Sequence, residues 1–177
     1  MDKMRVNEKD YEVLRLLGHG KGGYSYLVKD ENGEYVLKQI HHEPCDYYSF
    51  GDKMEAELWD YERLKEAGIR IPEMIAYDKE KERILKEYIP GDTVDICVMR
   101  DIPIEEYERQ VREMAAKAKD AGLNIDYFPT NFVVQEGLLY YIDYECNEYM
   151  EEWDYEHWGR KYWSKTEEFL TYFDKKG

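Results

Sequence analysis

The pattern of apolar and polar residues is clearest between residues 132 and 142. Two apolar runs, residues 132–134 and 138–142, flank the tripeptide Gln135-Glu136-Gly137. A Glu-Gly pair between two short apolar runs is typical of a tight turn. The pattern therefore predicts a β-hairpin.

Polar residues stand at the outer ends of this predicted hairpin. Asp126 and Asn131 precede the first strand, and Asp143 follows the second. Because a hairpin returns its ends to the same place, we expect Asn131 and Asp143 to lie side by side, with Asp126 on the preceding loop facing them. Acid and amide oxygens that converge on one point form the ligand set that Mg²⁺ prefers. The alternative is that these residues serve only as turn formers.

A glycine-rich segment separates two predicted strands near the N-terminus. Residues 11–17 and 24–29 have strand patterns, and residues 18–23 between them read Gly-His-Gly-Lys-Gly-Gly; these six residues are called the glycine loop. Glycine lets backbone N–H groups approach a phosphate without side-chain interference. A strand after the loop excludes a Rossmann dinucleotide site, which needs a helix there, and a glycine-rich hairpin without a ligand is the alternative. The candidate phosphate-binding glycines are Gly18, Gly20, Gly22 and Gly23.

A lysine lies inside the third predicted strand, residues 35–40. A charge in an apolar strand is costly unless it reaches the surface or meets a partner, so Lys38 is expected in one of these two positions. The apolar spacing of residues 52–67 predicts a helix, and Glu57 lies on nearly the same face as its apolar positions.

Further patterns complete the predicted secondary structure. Residues 73–78 and 83–89 form another predicted hairpin, which gives the N-terminal half five strands and one helix. In the C-terminal half, residues 92–100 and 103–121 have helical patterns. The many aromatic residues after residue 145 are expected to pack one or two terminal helices onto this half.

These motifs, in their order along the chain, resemble those of the protein-kinase-like superfamily. They are the glycine loop, the strand with Lys38, the acidic helix, Asp126-x4-Asn131 and Ile142-Asp143-Tyr144-Glu145. The resemblance implies a bilobal α+β fold that forms one kinase-like domain. Residues 1–89 would be an N-lobe with an antiparallel five-stranded sheet and one helix, and residues 90–177 a truncated, mainly helical C-lobe.

The resemblance also implies ATP and Mg²⁺ as cofactors and a role for each candidate residue. Lys38 would hold the phosphates of ATP beneath the glycine loop and pair with a glutamate of the acidic helix. We select Glu57 over Glu55 as this partner because of its helical face. Asp126 would orient and deprotonate the hydroxyl group of the acceptor, while Asn131 and Asp143 would hold Mg²⁺.

Residues 85–91 resemble the hinge of the family, where backbone groups bind adenine. By this correspondence Glu87 would offer its carbonyl group and Ile89 its N–H group. Lys86 takes the gatekeeper position, where a lysine is unusual.

Departures from the family pattern leave the reaction open. No His or Arg directly precedes Asp126, and Phe128 stands where serine/threonine kinases carry a lysine. The metal motif is Asp-Tyr-Glu rather than Asp-Phe-Gly, and no activation segment follows it. The motifs are closer to the RIO, aminoglycoside phosphotransferase and choline kinase branches. Three functions follow, in this order: a compact prokaryotic kinase acting on Ser or Thr in proteins, a small-molecule kinase, and a pseudokinase or scaffold without turnover.

The charge of the chain limits the classes of partner that it is expected to bind. A formal net charge of −15 argues against nucleic acid or an anionic membrane as a partner. Residues 145–156 contain six acids and no base, which favours a small cationic acceptor or a basic protein partner, with activity that is not gated by phosphorylation. The alternative is that these acids only keep the aromatic-rich lobe soluble. They are Glu145, Glu148, Glu151, Glu152, Asp154 and Glu156.

The cysteines and the hydropathy pattern bear on localisation. Cys45, Cys97 and Cys146 are odd in number and lack metal-ligand spacing, so we expect free thiols in a reducing compartment. No apolar run approaches membrane-spanning length, and the N-terminus lacks a signal-peptide layout. These features predict a cytoplasmic protein.

Overall fold

The computed structural model describes residues 2–20, 22–42 and 52–174. The chain divides into two compact units, Met1–Trp59 with Pro72–Tyr88 and Asp60–Ile71 with Ile89–Gly177. Residues 60–71 belong to the second unit because Leu64 and Ile69 are buried in its core. Strands and helices are both present in this arrangement, which confirms the predicted α+β class.

The first unit contains an antiparallel sheet of six strands in the order β1-β2-β3-β4-β6-β5. The strands are β1 Lys3–Val6, β2 Lys9–His19, β3 Gly23–Asp30, β4 Gly33–Ile40, β5 Met74–Asp78 and β6 Arg83–Glu87. The prediction of five strands is therefore wrong by one, since β1 pairs with β2 through a turn in which Asn7 has a φ of 57°. β1 alternates polar and apolar residues, but over only four residues, which is too short a run to be recognised in the sequence.

One core cluster of this unit contains the buried strand residues Val6, Tyr11, Val28, Leu37 and Leu85. On the central strands their neighbours are buried as well, namely Leu27, Val36 and Ile84. Because successive side chains of a strand point to opposite faces, the central strands bury apolar groups on both faces of the sheet.

Helix α1, Lys53–Ala67, follows the undescribed residues 43–51. The carboxylate of Asp52 caps it by accepting a hydrogen bond from Glu55 N at 3.1 Å. Gly68 ends it with a φ of 85°, a conformation that favours glycine. The predicted helix over residues 52–67 is thus confirmed.

The second unit is built from short strands and helices around an aromatic core. Its elements are β7 Asp92–Thr93, α2 Val94–Met99, α3 Glu105–Asp120, β8 Leu123–Ile125, β9 Phe132–Gln135, β10 Leu138–Tyr141, β11 Cys146–Glu148 and α4 Glu167–Asp174. Strands β10, β9 and β7 form one sheet, and β11 pairs with β8 in another. Tyr155, Trp163 and Phe169 are buried here, so the terminal aromatics do pack as predicted.

The predictions for the cysteines and for membrane-spanning segments can be compared with the structure. Cys97 and Cys146 are buried free thiols, and Cys45 lies outside the described residues. Burial raises the pKa of the Cys146 thiol to about 12. Among the helices of the described ranges, none has the length and apolar character needed to cross a bilayer.

Candidate active site

The candidate residues fall into two groups, one in each unit. In the first unit the glycine loop joins β2 to β3, and Lys21 within it lies outside the described residues. Gly20 N donates to Gly23 O at 2.9 Å, and His41 N donates to Gly22 O at 3.2 Å. The His41 ring also reaches Gly20 O, 2.8 Å from Nε2. These bonds, made by backbone groups and the His41 ring, fix the path of the loop.

The four glycines differ in what a side chain would meet. A Cβ at Gly23 would come within 2.4 Å of Gln39 O, so this position needs glycine for packing alone. A Cβ at Gly22 would lie 3.5 Å from Lys38 Nζ, which places the loop backbone next to the lysine. At Gly18 and Gly20, a Cβ would meet no described atom within 4 Å. Only this last pair faces open space.

Lys38 and Glu57 form an ion pair between β4 and α1. Lys38 Nζ lies 2.5 Å from Glu57 Oε1, and their side chains are 13% and 11% exposed. Glu55, the other candidate partner, instead lies 2.5 Å from Lys79 on the surface. Glu57 Oε2 is buried without a hydrogen-bond partner among the described residues, so this carboxylate retains acceptor capacity.

The predicted hinge residues lie at and beyond the end of β6. Glu87 N donates to Glu73 O at 2.8 Å, and Glu87 Oε1 accepts from Glu73 N at 3.1 Å. Ile89 is buried two residues later. Lys86 is only 7% exposed, so the unusual lysine is enclosed rather than solvated. A role for Glu87 and Ile89 in adenine binding stays a prediction.

In the second unit the predicted hairpin forms from β9 and β10. Phe132 pairs with Tyr141, and the turn places Glu136 and Gly137 at φ values of 50° and 81°. Beyond the paired strands, Ile142 N donates to Asn131 O at 2.9 Å. The backbone of Asn131 is therefore bonded to the residue that directly precedes Asp143.

Asp126 is held close to Asn131 by the short turn between them. Its Oδ1 accepts a hydrogen bond from Phe128 N at 3.1 Å, and its carbonyl oxygen accepts from Asn131 Nδ2 at 3.3 Å. The structure thus brings Asp126 and Asn131 together at one end of the hairpin, where the chain continues into Asp143.

The hydrogen bond between Asn131 and Asp126 also orients the Asn131 amide, a proposed ligand of Mg²⁺. A carbonyl oxygen can only accept, so the Asn131 amide must turn its nitrogen towards Asp126 O and its own oxygen away. An amide oxygen and a carboxylate are hard ligands, and Mg²⁺ usually takes one or two protein ligands and completes its shell with water and phosphate. Within residues 2–20, 22–42 and 52–174, no group of three or more His, Cys, Asp or Glu has metal-binding geometry. The donor types of the pair suit Mg²⁺ shared with a phosphate, and metal binding by Asn131 and Asp143 stays a prediction.

Tyr141 supports this region and was missed in the sequence. Its hydroxyl accepts a hydrogen bond from Asp126 N at 3.1 Å and donates to Glu145 O at 2.7 Å. Burial, with the nearby Asp143 carboxylate, raises the pKa of the Tyr141 hydroxyl well above its usual range. The signal available was a tyrosine in an apolar run, since a buried hydroxyl needs a hydrogen-bond partner.

Trp163 and Gly159 position the same loop from the C-terminal segment. Trp163 Nε1 donates to Tyr127 O at 2.8 Å in a buried contact. A Cβ at Gly159 would lie 2.5 Å from the Cβ of Tyr127, so only glycine allows this approach. No local sequence pattern identifies such contacts, because each joins residues more than thirty positions apart.

Comparison with known proteins identifies relatives. No protein-family model matches the chain. The "Putative serine/threonine-protein kinase YrzF" of Bacillus subtilis is 30% identical over 156 residues, which cover 85% of this chain and 68% of that protein. The KEOPS complex subunit Bud32 of Pyrococcus abyssi is 25% identical over 130 residues, or 71% of this chain and 59% of Bud32. The serine/threonine-protein kinase MPS1 of Saccharomyces cerevisiae is 30% identical over 156 residues, or 78% of this chain but 19% of MPS1.

Proposed function

The chain belongs to the protein-kinase-like superfamily of phosphotransferase enzymes, and on that premise we propose that it phosphorylates a serine or threonine hydroxyl of a protein with ATP and Mg²⁺. The observation that carries the proposal is the bonded arrangement of Asp126 and Asn131 at the end of the hairpin that leads into Asp143. The names of YrzF and MPS1 support a protein acceptor.

Asp126 is the proposed catalytic residue. Its Oδ1 is oriented by Phe128 N, and its main chain is held by Asn131 and Tyr141, so the carboxylate has a fixed position. A carboxylate held in this way can orient an acceptor hydroxyl and take its proton while the oxygen bonds to the γ-phosphorus. The bond between the γ-phosphorus and the β,γ-bridging oxygen breaks, and its electron pair leaves with ADP.

The first unit supplies the proposed nucleotide-binding groups. Lys38 would hold the phosphates, and Glu57 keeps its ammonium group in place through their 2.5 Å contact. Gly22 next to Lys38 and the open space at Gly18 and Gly20 support an approach of phosphate to the loop backbone. Glu87 at the end of β6 and Ile89, two residues further along the chain, are the proposed adenine contacts.

Asn131 and Asp143 would hold Mg²⁺, which offsets the charge of the phosphates when bound. The oriented amide oxygen of Asn131 supports this assignment. The residues of this chain then have separate tasks: Lys38 and the glycine loop bind, Asn131 and Asp143 hold the metal, and Asp126 moves the proton.

Radiolabelled ATP tests the reaction. The protein is incubated with γ-labelled ATP and Mg²⁺, first with a mixture of protein substrates and then with a panel of amino alcohols, sugars and aminoglycosides. We expect label on serine or threonine of a protein, and none with Asp126→Asn. Label on a small molecule alone would transfer the assignment to a small-molecule kinase. Absence of label from every acceptor, despite ATP binding, would assign the chain to the pseudokinases.

A further inference from the structure

A cavity of about 540 Å³ lies beside Asp126 within the second unit. We call it the Asp126 cavity. Its lining combines acids, two indole rings and a buried amide, and the sequence pattern did not show that these groups meet. They are Asn124, Asp126, Glu145, Glu148, Trp153 and Trp158.

Four of the six acids of residues 145–156 fall into two sets in the structure. Glu156 is bound by Arg112 at 2.7 Å, and Asp154 accepts hydrogen bonds from His157 N and Tyr149 Oη. Glu145 and Glu148 line the Asp126 cavity.

The carboxylates of Asp126, Glu145 and Glu148 give the cavity an anionic wall. Among the described residues, no lysine or arginine lines it. Carboxylates at a concave surface raise the local concentration of cations, because low-dielectric walls focus the field. The lining therefore favours a positively charged occupant.

Two tryptophans provide a second kind of attraction for the same charge. The rings of Trp153 and Trp158 have centroids 5.9 Å apart and an interplanar angle of 61°. Trp153 is 51% exposed, which is unusual for so large an apolar side chain. Indole faces are the strongest aromatic partners for ammonium and guanidinium groups.

A buried amide oxygen supplies independent evidence for a donor in the cavity. Asn124 is 5% exposed, and its Nδ2 donates to Met150 O at 2.8 Å, which fixes the orientation of the amide. Its Oδ1 is buried without a hydrogen-bond partner among the described residues. An unsatisfied buried acceptor is costly, and an N–H donor from a bound cation would satisfy it.

We propose that the Asp126 cavity binds an organic cation, an ammonium or guanidinium group, carried by the phosphate acceptor. The proposal rests on the proposed function, because Asp126 is the residue that would orient the acceptor hydroxyl. Two sources have this chemistry: a lysine or arginine side chain close to the phosphorylated serine or threonine, and a small amino alcohol.

The binding test does not require turnover. Tryptophan fluorescence is titrated with a serine peptide that contains two arginines and with the same peptide containing citrulline, which removes the charge and keeps the shape. We expect the arginine peptide to bind about three- to tenfold more tightly. Equal binding of the two peptides would overturn the proposal.

Two variants distinguish the effect of a charge in the cavity lining from the effect of the net charge of the protein. Glu148→Gln removes one charge from the lining, while Glu152→Gln removes an exposed charge from the same segment that does not line the cavity. We expect Glu148→Gln to weaken binding of the arginine peptide about three- to tenfold and Glu152→Gln to leave it unchanged. Equal losses in both variants would mean a diffuse electrostatic effect and would also overturn the assignment.

Kinetics distinguish this proposal from the proposed function. With labelled ATP, Glu148→Gln should raise KM for the arginine peptide and leave KM for ATP unchanged. Phosphorylation that ignores acceptor charge would refute the cavity assignment and leave the kinase function standing. Charge-dependent binding that needs Glu148, without label on any acceptor, would support the cavity and reject the function. Ethanolamine in place of the peptide identifies the source of the cation, because binding and labelling of ethanolamine alone would point to a small amino alcohol.

Discussion

The hydroxyl group of Tyr141 accepts a hydrogen bond from the backbone N–H of Asp126 at a distance of 3.1 Å. The same hydroxyl donates to Glu145 O at 2.7 Å, so one buried side chain joins the loop before the hairpin to the segment after it. The residue before Asp126 is isoleucine rather than the His or Arg of many relatives in the superfamily. In this chain Tyr141 supplies a tie between the two segments.

Replacing Tyr141 by phenylalanine tests this tie. Tyr141→Phe removes the hydroxyl that bonds to the Asp126 N–H and the Glu145 carbonyl. We therefore expect the free energy of unfolding to fall by about 1–3 kcal/mol. Chemical denaturation measures the change. Tyr140→Phe is the control, because Tyr140 is half-buried and has no hydroxyl hydrogen bond among the described residues. Equal stability of the two variants would show that the tie contributes nothing.

The ion pair between Lys38 and Glu57 predicts an effect on both stability and nucleotide binding. Glu57→Gln removes the charge that Lys38, 13% exposed, contacts at 2.5 Å. We expect the free energy of unfolding to fall by about 1–3 kcal/mol and the thermal shift with Mg-ATP to become smaller. Glu55→Gln breaks an exposed pair with Lys79 and should change stability by no more than about 0.5 kcal/mol. A Mg-ATP shift that survives in Glu57→Gln would argue against a phosphate-holding role for Lys38.

Two isosteric variants separate metal binding from proton transfer. Asp143→Asn should abolish the stabilisation by Mg-ATP, because an amide lacks the charge that holds the metal. Asp126→Asn should still be stabilised by Mg-ATP but should lose about 10²–10⁴-fold in kcat. Differential scanning fluorimetry and the labelling assay measure the two effects. The opposite assignment of the losses would exchange the proposed roles of the two residues.

Gly159 predicts a steric effect on the loop that carries Asp126. In Gly159→Ala the new Cβ would lie 2.5 Å from the Cβ of Tyr127, so the loop must shift. We expect the free energy of unfolding to fall by about 1–3 kcal/mol. Gly18→Ala serves as the steric control, since a Cβ there meets nothing within 4 Å of the described structure. Wild-type melting behaviour of Gly159→Ala would mean that the terminal segment tolerates displacement.

His157 gives the C-terminal segment a pH dependence. A hydrogen bond to Asp154 raises the pKa of His157 above its usual value, so the protonated ring favours the folded state. This stabilisation is complete below the unfolded-state pKa of about 6.5 and is lost as pH rises through the higher folded-state pKa. The difference in Tm between the wild type and His157→Gln should therefore shrink as pH rises from about 5.5 to 8.5. A difference that does not vary with pH would contradict this prediction.

The hairpin at residues 132–141 could be predicted because its evidence is local. Two apolar runs and the Glu-Gly turn between them determine the strands, and the position of Asn131 beside the residue before Asp143 follows from antiparallel pairing. The helical spacing of α1 likewise indicated Glu57 rather than Glu55 as the residue facing Lys38. In each case the period of the secondary structure places the side chain.

The features that sequence analysis missed depend on contacts between distant positions. Glu156 appeared equivalent to its acidic neighbours, but Arg112, forty-four positions away, binds it. The pattern indicated that Trp163 would be buried, but not that its indole N–H would bond to Tyr127 O. Hydrophobic periodicity predicts which face is buried and carries no information about which group on another element it meets.

The pairing of β8 with β11 has a consequence for the chain entropy of the candidate site. Ile125 pairs with Cys146, so this pair closes a loop of the intervening residues, and Asp126, Asn131 and Asp143 all lie in the loop. Closing a loop of this size costs less chain entropy than bringing the two ends of the protein together. The groups proposed for proton transfer and metal binding therefore come together at a smaller entropic cost than contacts between the distant ends of the chain.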